Sequence, residues 1–462
     1  MKKIFLIALS ITMLSCSKEE VKTIDYAVFS GKIENPDGGK LSIVDNYNNS
    51  VKDISVEEGG IFTDTIPGIK QGPYMFKYAN EYSDIYLKPG DNLNLTLDSK
   101  EFDETIKYSG NGSAENNYLA QVSLNQEKLG KLRQYQYLGT LEEEDFVKKM
   151  DSIKQLQTDF LNSQEGLDPT FKKQQEAEIL YKRIYYLGNF EAFKNYVNKD
   201  SGFKVSENYP KYEEGLNLED EKIIDVRFYK EYLKKYYSLK SAEITKSDSI
   251  NPETAYLTIV SSEVKSSVIK EALLYGDAKY GISYTNDLQA YYDVFMANST
   301  DEEHKKEITE KYNKLMKLSK GAPSPKFTDY ENYAGGTTSL DDLKGKYVYI
   351  DVWATWCGPC KREIPSLKEV TKNYEGKNIA FVSMSVDKKK DYDKWRKMVE
   401  EKELDGYQLF APNDWESDFV SDYEIMGIPR FILIDPEGNI VNANAPRPSS
   451  KELINLLNEL SI

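Results

Sequence analysis

Two of the chain's three cysteines, Cys357 and Cys360, stand two residues apart in DVWATWCGPCKREIP (351–365). Thiols at that spacing can ligate a metal, close a small disulfide or pass electrons. A structural zinc site takes four ligands, usually Cys or His. This pair and the single histidine, His304, supply three at most, so no metal site is expected. His304 stands among Glu302, Glu303, Lys305 and Lys306, a run that reads as solvated surface. A disulfide enclosing two residues restrains the unfolded chain little. A redox couple is the reading that remains, with the reversible Cys357–Cys360 disulfide as its own redox group and no other cofactor.

The elements around the pair must make it reactive. KYVYIDVWA (346–354) reads as a buried strand, and the residues after Cys360 read as a helix carrying Ile364, Leu367 and Val370. The pair therefore falls at a strand-to-helix turn. Unpaired N–H groups and the macrodipole at a helix start favour a thiolate. Such sites bring a Cys pKa from about 8.5 into the range of about 3.5–7.5. Cys357 is expected to be the more exposed and to attack a partner's disulfide. Cys360, one turn into the helix, then resolves the mixed disulfide.

The chain of 462 residues is long enough for about three domains. From 26 to 112 short strands alternate with turns. NLNLTLD (92–98) places Leu93, Leu95 and Leu97 at the period of a half-buried strand, and NPDGG, EEGG and KPGD mark turns. This predicts an antiparallel, sandwich-like β domain. From 114 to 319 the period becomes helical: Phe146, Met150, Ile153, Leu156 and Phe160 recur, as do Leu180, Ile184, Leu187 and Phe190. An all-α region of roughly seven helices is expected, its many tyrosines serving packing more than binding. SKGAPSPKF (319–327) reads as a linker, and residues 321–462 alternate strand and helix as an α/β domain does. In its last helix Ser449 and Glu452 have capping-box spacing, and Leu453, Leu456, Leu457 and Leu460 form the apolar stripe.

Sixty basic against seventy-six acidic side chains give a net charge of −16, which argues against a nucleic-acid partner. Lys2 and Lys3 precede an apolar run, Ile4 to Leu14, too short to span a bilayer and suited to a signal peptide. The run ends in Met13-Leu14-Ser15-Cys16, which resembles the lipobox of bacterial lipoproteins, with Met13 where a Leu is usual. That resemblance implies a signal peptide over 1–16, lipidation of Cys16, and anchoring in the cell envelope, on the periplasmic side or at the outer membrane.

WCGPC resembles the thioredoxin active site, and 321–462 is similar to the membrane-anchored thioredoxin-like reductases of the TlpA/ResA family. KGKYVYIDVWATWCGPCKREIP, the added segment DYDKWRKMVEEKELDGYQLFAP and GIPRF (427–431) carry the likeness. It implies a C-terminal thioredoxin fold, a multidomain chain, and roles for further residues. Asp351 falls on the buried Asp of thioredoxins and is expected to act as general base for Cys360, its pKa raised by burial. Pro429 falls on the cis proline, which presents the backbone of Ile428 to a client for strand-like pairing. Pro365 falls on the proline that kinks the active-site helix. Trp356 would shield the thiolate and offer an apolar contact. Glu363 matches an acid that tunes ResA-type sites, or is an exposed helix charge.

The function expected is that of an extracytoplasmic thiol-disulfide oxidoreductase that reduces disulfides in exported clients, cytochrome apoproteins among them. The Gly-Pro between the cysteines resembles that of reducing thioredoxins, near −270 mV, rather than of strong oxidants, near −120 mV. No dinucleotide fingerprint is present, so a membrane thiol transporter is expected as electron donor. An oxidase or isomerase of the same fold is the alternative. So is a surface lipoprotein whose first 300 or so residues form a binding module. A thiol peroxidase is disfavoured, because Ile350 and Ala354 stand where its Pro-x-x-x-Thr-x-x-Cys pattern needs Pro and Thr.

Overall fold

The computed structural model describes residues 24–130, 134–199, 202–247 and 251–462. The lipobox and Cys16 lie outside the described residues. The chain divides into two compact units, 1–214 with 225–229 and 215–224 with 230–462.

In the first unit eight strands form two four-stranded sheets. These are β1 Tyr26–Glu34, β2 Leu41–Val44, β3 Ser50–Ile54, β4 Ile61–Pro67, β5 Gly72–Tyr78, β6 Glu81–Leu87, β7 Asn92–Asp98 and β8 Lys107–Gly110. The orders are β4-β1-β7-β8 and β3-β2-β5-β6. One core lies between them, filled from β7 by Leu93, Leu95 and Leu97 and from the other sheet by Leu41, Phe76 and Ile85. Alternation in NLNLTLD thus points to the buried face. One pairing departs from the expected antiparallel pattern: β1 and β7 run parallel, in register from Val28 and Asn92. They are far apart in the chain, so no hairpin turn dictates their direction. The EEGG turn is set by Gly60, whose φ is +82°, with space for a Cβ closed by the Ile33 carbonyl.

The helices Ser113–Lys128, Glu143–Asn162 and Pro169–Asn198 follow in the same unit. The last starts where Asp168 accepts the N–H groups of Thr170 and Phe171, with Pro169 at the first helical position. Phe146 stacks on Phe190 at 4.1 Å between ring centroids. Leu156 sits at the expected helical period yet is 64% exposed. It borders an apolar groove lined by Tyr118, Val122 and Phe160.

The second unit holds the helices Ala255–Glu263, Ser267–Gly281, Leu288–Asn298 and Glu302–Leu315. His304, expected at the surface, is three-quarters covered: its ring lies on Tyr275 at 3.6 Å and its Nδ1 is 2.8 Å from Glu271. The charges around it occupy other faces of its helix, and the histidine faces Ser267–Gly281.

The same unit carries a seven-stranded sheet of β9 Tyr330–Asn332, β10 Thr337–Thr338, β11 Tyr347–Trp353, β12 Ile379–Ser385, β13 Tyr407–Phe410, β14 Arg430–Ile434 and β15 Ile440–Asn442. Its order is β10-β9-β13-β12-β11-β14-β15. β11, β12 and β13 are mutually parallel and β14 is antiparallel to β11. β11 and β12 are buried almost throughout, because helices cover both faces of such a sheet. The helix Lys451–Glu459 packs Leu453 and Leu457 against Tyr349, Phe381 and Phe431. Its N-cap is Ser450, whose Oγ accepts the Glu452 N–H, rather than Ser449. Ser449 is engaged elsewhere, as the site shows.

Phe29 is fully buried against Phe62 (5.1 Å) and Phe76 (6.3 Å) in the β core. Phe29→Ala is expected to destabilise that unit by roughly 3–5 kcal/mol. Urea titration of the full chain should show its transition at lower concentration.

Candidate active site

Cys357 and Cys360 are joined by a disulfide where β11 turns into the helix Gly358–Asn373. Cys357 is the N-cap of that helix, and its Sγ takes the N–H of Cys360 at 3.1 Å. A sulfur here faces one of the helix's unpaired donors and the positive end of its dipole, the setting that stabilises a thiolate. The expected difference in exposure is not found: Cys357 is 3% and Cys360 4% exposed. The S–S bond ties Cys357 to a residue in the first turn of the helix, and both residues are covered.

The turn between Trp353 and Cys357 is pinned by a residue that the sequence reading passed over. Asp387, fully buried just beyond β12, accepts the Thr355 N–H at 2.9 Å and the Thr355 hydroxyl at 2.7 Å. The Ser385 hydroxyl donates to it as well, at 2.8 Å. The signal available was an acid two residues after a seven-residue buried strand, the parallel neighbour of β11.

Asp351 lies in the middle of the sheet, on β11 opposite Ser383 of β12 and Phe431 of β14. Its Oδ1 is buried and has no hydrogen-bond partner among the described residues. Burial, and then the charge of Glu363, push its pKa up to about 8. Glu363 is no exposed helix charge, being 8% exposed on the inner side of Gly358–Asn373. It accepts the Ser449 N–H at 3.1 Å and the Ser449 hydroxyl at 3.0 Å, with Arg447 Nη1 at 3.8 Å. One carboxyl is thus hydrogen-bonded and the other left without a donor among the described residues.

Ile428–Pro429 is a cis peptide bond immediately before β14, whose first residue, Arg430, pairs with Val352 near the end of β11. The topology therefore brings Pro429 beside the strand end that leads into Cys357. Ile428 and Pro429 are partly exposed, and neither backbone group of Ile428 takes a backbone hydrogen bond among the described residues. Trp356 is 57% exposed and tilts toward Trp415 at 6.5 Å. Beside it, Thr355, Lys394, Lys397 and Met398 line a cleft of about 410 Å³ against the helix Tyr392–Glu401, part of the added segment. Pro365 lies inside the active-site helix. Among the described residues no three or more His, Cys, Asp or Glu side chains gather as metal ligands would.

Part of the chain is similar to known proteins. The AhpC/TSA family matches residues 320–443. The thiol-disulfide oxidoreductase ResA of Bacillus subtilis is 29% identical over 126 residues, 27% of this chain and 66% of that protein. ResA of Oceanobacillus iheyensis is 30% identical over 131 residues, 28% of this chain and 65% of that protein. The chain thus spans just under two thirds of the length of these relatives. A solved thioredoxin domain, from a thiol-disulfide oxidoreductase of Bacteroides vulgatus, is 31% identical and covers 31% of this chain and 98% of that one, with a TM-score of 0.28.

The raised pKa of Asp351 has a definite sign in stability. Its folded-state value lies above the unfolded one, so the folded state holds the proton more tightly, and stability is lost as pH rises from about 4 to about 8. The loss is on the order of 5 kcal/mol. Asp351→Asn should flatten this slope and be the more stable chain at pH 8. Urea midpoints across that range check it, and parallel slopes for the two chains would refute the buried-acid assignment.

Proposed function

Given that the C-terminal part of this chain is a thioredoxin-like domain related to the ResA thiol-disulfide oxidoreductases, we propose that the chain reduces disulfides in exported client proteins. The observation that carries this reading is the Cys357–Cys360 disulfide at a helix N-cap, in the same domain as a buried, donor-free Asp351. In the reduced protein the Cys357 thiolate attacks one sulfur of the client disulfide. A Cys357–client bond forms, the client S–S bond breaks, and the second client sulfur leaves and takes a proton from solvent. The Cys360 thiol then gives its proton to the Asp351 carboxylate. The Cys360 thiolate attacks Cys357 Sγ, breaking the Cys357–client bond, and the expelled client thiolate takes up the proton held by Asp351, which returns to its carboxylate form. Two electrons have passed to the client, and the chain holds the disulfide.

An Asp351 pKa of about 8 suits this relay, since it stands close to the ordinary thiol value of about 8.5. Pro429 and the unpaired backbone of Ile428 offer the client an edge to pair with, and Trp356 an apolar contact. The electrons are supplied by a membrane thiol transporter. The signal segment and Cys16 support export and a lipid anchor in the cell envelope.

Cys360→Ser is expected to accumulate mixed disulfides with clients on non-reducing gels, and Cys357→Ser none. Titration of the full chain against dithiothreitol should put the pair near −270 mV; a value above about −180 mV would defeat the reducing direction. Asp351→Asn should slow client release more than attack in stopped flow, and equal slowing of both steps would remove its role as base.

A further inference from the structure

A side chain from the helical region reaches the cis-proline loop. Between the helices Ser267–Gly281 and Leu288–Asn298, Tyr284 donates its hydroxyl to the Gly427 carbonyl at 3.1 Å, one residue before Ile428. The approach is close: a Cβ on Gly427 would stand 2.8 Å from the Tyr284 oxygen. Arg430, on the other side of Pro429, is 2% exposed. Its guanidinium lies over the Tyr284 ring at 5.1 Å, and its Nη1 donates to the Ser283 carbonyl at 2.6 Å. Asn444 Nδ2 donates to the Tyr284 carbonyl at 2.6 Å. Lys314 adds an ion pair with Glu424 at 2.8 Å.

These contacts bracket one short stretch. Gly427 and Arg430 are both held by the Ser283–Tyr284 turn, while Ile428 and Pro429 between them stay partly exposed. A buried guanidinium taking a backbone carbonyl from a distant segment is costly to separate from it, because the charge would be left without that partner. A client strand gains affinity by pairing with a backbone edge already fixed in place, since less ordering remains to be done on binding.

The geometry points to Tyr284 as a positioning residue of the client site: its hydroxyl holds Gly427 so that the backbone of Ile428 is presented for pairing. The helical region is then a working part of client recognition, and Ser283–Tyr284 is the part of it that acts. This rests on the reductase reading above.

The test is single-turnover reduction by the reduced full chain under excess disulfide. One substrate is a short peptide with a single intramolecular disulfide, and the other is hydroxyethyl disulfide, too small to pair as a strand. Tyr284→Phe, which keeps the ring over Arg430, should raise the half-saturating peptide concentration about fivefold, the size of one neutral hydrogen bond. The limiting rate, the rate with hydroxyethyl disulfide and the midpoint potential should stay within about twofold of the unsubstituted chain. Asn444→Ala, which loosens Tyr284 at its carbonyl, should move the same parameter in the same direction. An unchanged half-saturation in Tyr284→Phe, or a loss falling equally on both disulfides, overturns the inference while leaving the reductase reading in place. Failure of the unsubstituted chain to reduce either disulfide overturns that reading and this inference with it.

Discussion

The hydrogen bond from the Cys360 N–H to the sulfur of Cys357 is the contact on which the rest of the site depends. It exists because the chain passes from a buried strand directly into a helix, and the sulfur occupies the cap position where the first N–H groups lack partners. Two features keep that turn in place. Asp387 fixes Thr355 from the neighbouring strand, and the parallel pairing of β11 with β12 brings the two together. A thiolate gains from the helix end only if its sulfur stays within the first turn, since the effect fades beyond it. The buried clamp on Thr355 is thus part of the electrostatics as much as of the packing.

The two carboxyls of the strand and helix that flank the pair differ in their surroundings. Glu363 has a serine N–H, a serine hydroxyl and an arginine close by, which compensate its charge. Asp351 has a bare oxygen in the middle of a sheet. The two acids are similarly buried, at 7% and 8% exposed, and differ in what surrounds them. The charge on Glu363 also bears on Asp351, adding to burial in holding its proton. The serine that satisfies Glu363 stands at the start of the last helix, so that helix reaches into the site through Ser449 as well as covering the sheet.

What the sequence disclosed follows how local each signal was. The CxxC pair, the strand before it, the helix after it and the Leu stripe of the last helix are all contained within short windows, and the structure places them as read. The Leu93, Leu95 and Leu97 face is equally local. The parallel pairing of β1 with β7 depends on segments more than fifty residues apart, and no turn between neighbours announces it. Ser449 has the spacing of a capping box, but the helix starts one residue later because Glu363 engages that hydroxyl. Leu156 and His304 misled in opposite directions: the period of one implied burial and the neighbours of the other implied exposure. Asp387, Arg447 and Tyr284 carried little local signal, because each matters only through a partner far along the chain.

This last class includes the residues through which a scaffold shapes a reactive pair. A dithiol with a suitable potential exchanges with any disulfide it can reach, and discrimination must come from what lies around it. Near Cys357 in the chain Trp356 is exposed, and the partly exposed Ile428–Pro429 edge precedes the strand that pairs with β11. The first belongs to the active-site turn itself. The second is held from outside the thioredoxin-like domain, by a turn between two helices that contribute no group to the exchange. On the reading proposed above, chemistry and selection reside in different segments of the chain. On that reading, a change in the helices would alter which clients are taken up while the sulfurs and their acid remain as they are.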